Sequence, residues 1–150
     1  MFDDKITLSK LVDVICSIAS GEKNVNTVVT QDVYQLDSIP NAKYSVFAIT
    51  QNTHQEDDRF IFYNFFIYYI DRITNDDASN ELLCQSTGIQ VLRNIIRKTC
   101  NYLDIEVPEN ILYYPFIQKF ADVCSGVYAD VKFAVPLDMC EEIYGDSNEL

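Results

Sequence analysis

The side chains able to ligate, attack or shuttle protons are few in this chain and lie far apart. His54 is the single histidine. It sits in a polar, acid-rich stretch, residues 51–59, with Glu56, Asp57 and Asp58 close by. A metal site needs several N, S or O donors converging at short range, and one imidazole beside loop carboxylates does not supply that pattern. Nucleophilic catalysis would require His54 as the base, yet no serine or cysteine is framed by an elbow such as GxSxG. The expectation is a solvated loop histidine, neither catalytic nor metal-binding.

Cysteine and carboxylate placement leads the same way. Cys16, Cys84, Cys100, Cys124 and Cys140 are widely spaced, with no CxxC pair, and their number is odd. That pattern suits reduced thiols in a cytosolic setting, most of them small buried hydrophobes. Asp3-Asp4, Asp57-Asp58, Asp76-Asp77 and Glu141-Glu142 fall in predicted loops or termini, where adjacent acids are solvated or cap helices. Four glycines in the whole chain leave no room for a phosphate-cradling loop. No catalytic residue, cofactor or metal is expected.

The remaining charged features are Arg93, Arg97 and Lys98, a basic cluster on a predicted helix, and the adjacent Asp71 and Arg72. The cluster reads as a solvated helix face or as a set of salt bridges to an acidic neighbour. Asp71 and Arg72 close an apolar strand, where opposite charges terminate the strand, fix its register or pair across an interface.

The elements that hold these residues follow from pattern. The chain has 150 residues, one domain by length, with 48% hydrophobic residues. Ten Tyr and nine Phe accompany no Trp, and tyrosine is favoured at interfaces. Twenty-three acids against eleven bases give a net charge of −12. That excludes a general electrostatic grip on nucleic acid or on an anionic membrane surface. It suits a wall past which DNA must slide without sticking. The N-terminus is acidic with no apolar core, unlike a signal peptide. The longest apolar run, residues 60–70, is too short to span a bilayer as a helix.

Thr7 or Ser9 caps a first helix carrying Leu8, Leu11, Val12, Ile15 and Ile18, which Gly21 ends. Residues 28–39 read as irregular chain with some strand character, before a turn at Pro40-Asn41. Residues 44–50 and 60–70 read as strands. In the second, Ile61, Tyr63, Phe65, Ile67 and Tyr69 form one row; Phe60, Phe62, Phe66, Tyr68 and Ile70 form the other, with Asn64 and Arg72. Both rows are largely apolar. One should meet helices, and the other a second sheet or another subunit.

Residues 74–80 offer caps for a second helix that ends near Leu103, with Leu82, Ile89, Leu92, Ile96, Cys100 and Leu103 on one stripe. Gly88 within it is either a close packing point or the true helix start. Residues 104–115 read as a loop. A closing hairpin, 116–124 and 127–135, turns at Ser125-Gly126. The last strand alternates Val127, Ala129, Val131, Phe133 and Val135 with Tyr128, Asp130, Lys132 and Ala134. Residues 1–136 thus form one α+β domain in the order α-β-β-α-β-β, an antiparallel sheet of about four to five strands flanked by two main helices. Residues 137–150 form an acidic tail or arm.

The successions Tyr44-Ser-Val-Phe-Ala-Ile-Thr-Gln51, Phe62-Tyr-Asn-Phe-Phe-Ile-Tyr-Tyr-Ile-Asp-Arg-Ile73, Gln85-Ser-Thr-Gly-Ile-Gln-Val-Leu92 and Phe120-Ala-Asp-Val-Cys-Ser-Gly-Val-Tyr-Ala-Asp130 resemble a known group. They are similar to small neck and tail proteins of tailed bacteriophages, particularly the crAss-like phages of Bacteroides and related prophages. The resemblance covers residues 43–135 and rests on non-catalytic motifs. It implies a tail-terminator-like or head–tail joining subunit, made in the host bacterial cytoplasm and resident in the virion. Its partners would be copies of itself in a ring, and neighbouring neck, portal-proximal or tail proteins, with DNA only passing through the channel. Phe62, Phe66, Tyr68, Asp71 and Arg72 are the expected subunit-interface residues. The competing expectations are a small acidic chaperone or immunity-type inhibitor that masks a basic partner, and an enzyme of unrecognised class.

Overall fold

The computed structural model describes residues 5–30, 43–73, 78–119 and 123–140. Helix α1 spans Leu8–Ser20, and the choice of cap falls on Thr7, whose Oγ1 accepts from the Lys10 backbone N–H at 3.1 Å. Leu11, Ile15 and Ala19, spaced by four, are its fully buried stripe. Helix α2 spans Ala78–Leu103, and Val91, Leu92, Ile95, Ile96, Cys100 and Leu103 carry its buried side. The cap candidates of residues 74–77 and the turn at Pro40-Asn41 lie outside the described residues.

Among the described residues six strands form one mixed sheet: β1 (Thr27–Val29), β2 (Val46–Gln51), β3 (Gln55–Glu56), β4 (Phe60–Arg72), β5 (Leu112–Lys119) and β6 (Val123–Pro136). Their spatial order is β1-β2-β4-β6-β5, with β3 also paired to β4. Every pair is antiparallel except β1–β2. A parallel neighbour needs a crossover of a dozen or more residues, and residues 30–45 separate these two strands. Nothing in a three-residue strand announces such a crossover. β4 and β6 form the backbone of the sheet, paired without a break from Phe60↔Pro136 to Arg72↔Cys124.

Both helices lie on one face. There Phe47, Ile49, Tyr63, Phe65, Ile67, Tyr69, Val127, Ala129, Val131 and Phe133 join the buried stripes of α1 and α2 in one core. Each fully buried side chain of this kind contributes on the order of 1.5–3 kcal/mol by leaving water.

Several expectations need correction. Leu82 is 68% exposed and off the core stripe; at this end α2 meets the sheet through the Glu81 carbonyl, which accepts from Ser125 Oγ at 3.3 Å, and through Cys84. Gly88 is a close packing point within α2: an added Cβ would come 2.6 Å from Val127 Cγ1 and 2.8 Å from Tyr69 Cδ2. Ser125 and Gly126 are not a turn. They pair inside β6 with Asp71 and Ile70 of β4 and with Ile117 and Phe116 of β5. Glycine stands there because a Cβ would collide with the Tyr69 carbonyl and press on the Phe116 ring. The β5–β6 connection, residues 120–122, lies outside the described residues. Pro115 belongs to β5 rather than to a loop, as an edge strand permits. After Pro136, Leu137–Met139 makes a 3-10 turn, and Ile6 N–H donates to Met139 O at 2.7 Å. The acidic segment 141–150 lies outside the described residues.

Candidate functional site: the helix-free face of the sheet

Successive residues of a strand point to opposite faces. The β4–β6 and β5–β6 registers therefore gather Phe62, Asn64, Phe66, Tyr68, Ile70, Tyr128, Asp130, Lys132, Leu112, Tyr114 and Phe116 on the face away from both helices. Tyr128 is the hub of an aromatic cluster. It stacks on Tyr114 (centroids 4.9 Å apart, 19° between planes) and lies 5.3 Å from Tyr68, 6.0 Å from Phe66 and 6.2 Å from Phe116. Such pairs contribute about 0.5–1.5 kcal/mol beyond area burial. Phe66, Tyr68 and Tyr128 are half-buried, and Tyr114 is exposed at the β5 edge. Nearer β1, the small cluster of Val29, Val46, Ala48, Ile70 and Cys124 is buried on this same face.

Of the expected interface residues, Phe66 and Tyr68 join this cluster, while Phe62 lies towards the β3 end of the face, beside Phe60. Arg72 shares the row at the opposite end, its guanidinium over the Tyr44 ring at 5.6 Å. Asp71 does not join them. It takes the helix-side row with Tyr69, and its Oδ1 accepts the Arg72 backbone N–H at 2.9 Å. Tyr114 and Phe116 on β5 and Tyr128 on β6 were missed because both strands are remote in sequence from β4. Only the strand registers bring them to Phe66 and Tyr68.

The helix-free face carries a cleft of about 530 Å³ at its Phe62 end. The connection after α2 walls one side with Glu106, Val107, Pro108 and Glu109; Asn64, Asp130 and Lys132 form part of the floor. Asn64 is 9% exposed, and its Oδ1 is buried without a hydrogen-bond partner. An orphaned buried acceptor costs about 1–3 kcal/mol. The Asn64 backbone is satisfied: its N–H donates to His54 Nδ1 at 3.2 Å, and its carbonyl accepts from Asn52 N–H at 2.9 Å.

His54 is thus not the solvated loop residue its neighbours suggest. Its ring stands edge-on to Tyr63 and Phe65, 5.5 and 5.8 Å away, on the helix side. With Nδ1 accepting from Asn64, the proton sits on Nε2, which donates to Gln51 Oε1 at 3.0 Å. The imidazole seals the sheet where β2 departs from β4 and β3 takes its place. That role needs the β2–β4 register that pairs Gln51 with Phe65, which local composition cannot reveal.

A second cleft, about 430 Å³, opens on the helix side between the end of β4 and the start of α2. Ser45, Tyr69, Asp71 and Cys84 line it. Ser45 Oγ and Tyr69 Oη share a hydrogen bond of 2.9 Å, and Cys84 Sγ donates to Ser125 O at 3.3 Å. Burial pushes the Cys84 thiol up to about 11 and raises the Tyr69 phenol. A thiol held protonated is a poor nucleophile and a poor ligand. Of the basic cluster, Lys98 Nζ pairs with Glu22 Oε2 at 2.6 Å, and Arg93 and Arg97 flank Tyr113 beside Glu109. Among the described residues no three His, Cys, Asp or Glu side chains converge to hold a metal ion. No described helix is long and apolar enough to cross a membrane. In comparisons with known proteins, no family model matches the chain and no curated sequence matches it significantly.

Proposed function

We propose that this chain acts by contact rather than by catalysis, as a ring-forming subunit of the head–tail connector or tail of a tailed phage. One observation carries the reading: both helices cover one face of the sheet, and the other face bears an aromatic cluster centred on Tyr128. A cluster of partly exposed rings at the centre of a sheet is the kind of surface that protein interfaces favour. The tail-terminator-like build, a sheet with helices packed against it, is compatible with ring assembly in the virion around a DNA channel. The net charge of −12 suits a channel lining that does not retain DNA.

The test is solution mass by light scattering, with negative-stain imaging of any assembly. The expected result is a closed oligomer of the 17.3 kDa chain whose formation strengthens with salt, since like-charged protomers repel less when screened. Tyr128→Glu should disperse it while leaving the helical circular dichroism unchanged. A monomer at high concentration, alone and with phage neck and tail proteins, would overturn the reading. A second reading, an acidic module that masks a basic partner, is favoured by the carboxylates Glu106, Glu109 and Asp130 around the Asn64 cleft.

A further inference from the structure

We propose that the cleft over Asn64 is a receptor for an arginine side chain presented by a partner protein. The inference goes beyond ring assembly and holds whether or not the chain forms an oligomer. Its first support is the Asn64 amide. This side chain is nine-tenths buried, lines the cleft and has an Oδ1 without a donor. A folded protein rarely leaves such an acceptor unmatched, so the missing partner is a hydrogen-bond donor. Thr99 Oγ1, the other buried unpartnered side-chain atom among the described residues, is fully enclosed on α2.

The second support is charge. Glu106, Glu109 and Asp130 reach the same cleft, against the single ammonium of Lys132. Lys132 lies over the Phe62 ring at 5.9 Å. Glu109 also borders Arg93 and Arg97 on its other side, so Glu106 and Asp130 carry most of the unbalanced charge. The donor sought is therefore cationic.

The third support is shape. Phe62, Val107 and Leu112 add apolar surface to the walls, and about 530 Å³ lies within the range of built ligand sites. Guanidinium combines several donors with a flat, weakly hydrated face that packs on apolar and aromatic walls; a compact, strongly hydrated ammonium does this less well. A second copy of the chain brings another net charge of −12. A basic segment of a different protein is the complementary occupant.

The experiment uses the full chain labelled with ¹⁵N and the probe acetyl-Ala-Ala-Arg-Ala-Ala-amide, with the glutamate-centred peptide as control. The arginine peptide should produce saturable shifts at the Asn64 side-chain amide and at the Leu112 and Ala134 amides, weakening as salt is raised. Asn64→Leu, which removes the orphaned acceptor at similar size, should weaken binding about tenfold, the effect of one charge-assisted hydrogen bond. Glu106→Gln combined with Asp130→Asn should weaken it comparably, and carries the comparison if Asn64→Leu does not fold. Three results would overturn the proposal: equal shifts with the glutamate peptide, unsaturated shifts spread over the acidic surface, or variants that bind as well as the parent. Shifts at Asn64 that grow with protein concentration in the absence of peptide would place a second copy there instead.

Discussion

The two rows of β4 share a backbone and nearly the same hydrophobicity, yet they live in different surroundings. Tyr63, Phe65, Ile67 and Tyr69 are buried in the core that the helices cover, among side chains remote in sequence. Phe62, Phe66 and Tyr68 are half-buried on the face the helices leave open. Apolar alternation therefore marks two faces without ranking them. What separates a core from a contact surface is which face the amphipathic helices select, and close approach of α2 at Gly88 makes that selection.

Truncating neighbouring rings is the strongest way to break the comparison. Phe65→Ala should cost about 3–5 kcal/mol in urea unfolding, while Phe66→Ala on the half-buried row should cost only about 1–2 kcal/mol. Equal costs would mean that the second face is a sealed core of its own. Next in size is Gly88→Ala. Helix propensity alone predicts a gain of about 1 kcal/mol, but the Cβ would press on Val127 and Tyr69. A net loss of about 1–3 kcal/mol is expected, and a gain would show that α2 does not sit this tightly on the sheet. His54→Ala should cost about 1–2 kcal/mol by stranding the Asn64 N–H, seen as faster hydrogen exchange at that amide. Unchanged exchange would return His54 to the status of a loop residue.

The smallest effect at neutral pH, and one confined to the helix-covered side, concerns the thiols. Burial pushes Cys84 and Cys100 up to about 11, from an ordinary value of 9.0. The unfolded chain releases these protons near pH 9 while the folded chain holds them until about 11. Stability should therefore be intact below about pH 9 and fall as pH rises towards 11. Both thiols should also react slowly with iodoacetamide at pH 8, by mass spectrometry; rapid labelling would show that the helix-covered face opens readily.

Much of the fold was legible because local pattern and tertiary role coincide. The stripe of Leu11 and Ile15, the stop at Gly21, the long run of β4 and the alternation of β6 each have a period that only one element satisfies. Reading failed where a residue serves a distant partner. Ser125-Gly126 has the composition of a turn but lies mid-strand, because glycine is required against the Tyr69 carbonyl. Pro115 looks like a loop breaker, yet it lies within β5, where an edge position tolerates the missing N–H. Parallel pairing of β1 with β2 leaves no trace in three residues.

The candidate site divides in the same way. Phe66 and Tyr68 could be nominated from sequence, since an apolar second row has to be covered by something. The contributions of Tyr114, Phe116 and Tyr128 and the unpartnered Asn64 Oδ1 could not. Sequence by itself determined that the chain forms helices and strands with two apolar sheet faces, because periodicity is a property of consecutive residues. Only the tertiary structure decided which face lies under the helices, which rings meet at Tyr128 and which carboxylates surround Asn64. Those are set by strand register and helix docking, and both join residues that are remote along the chain.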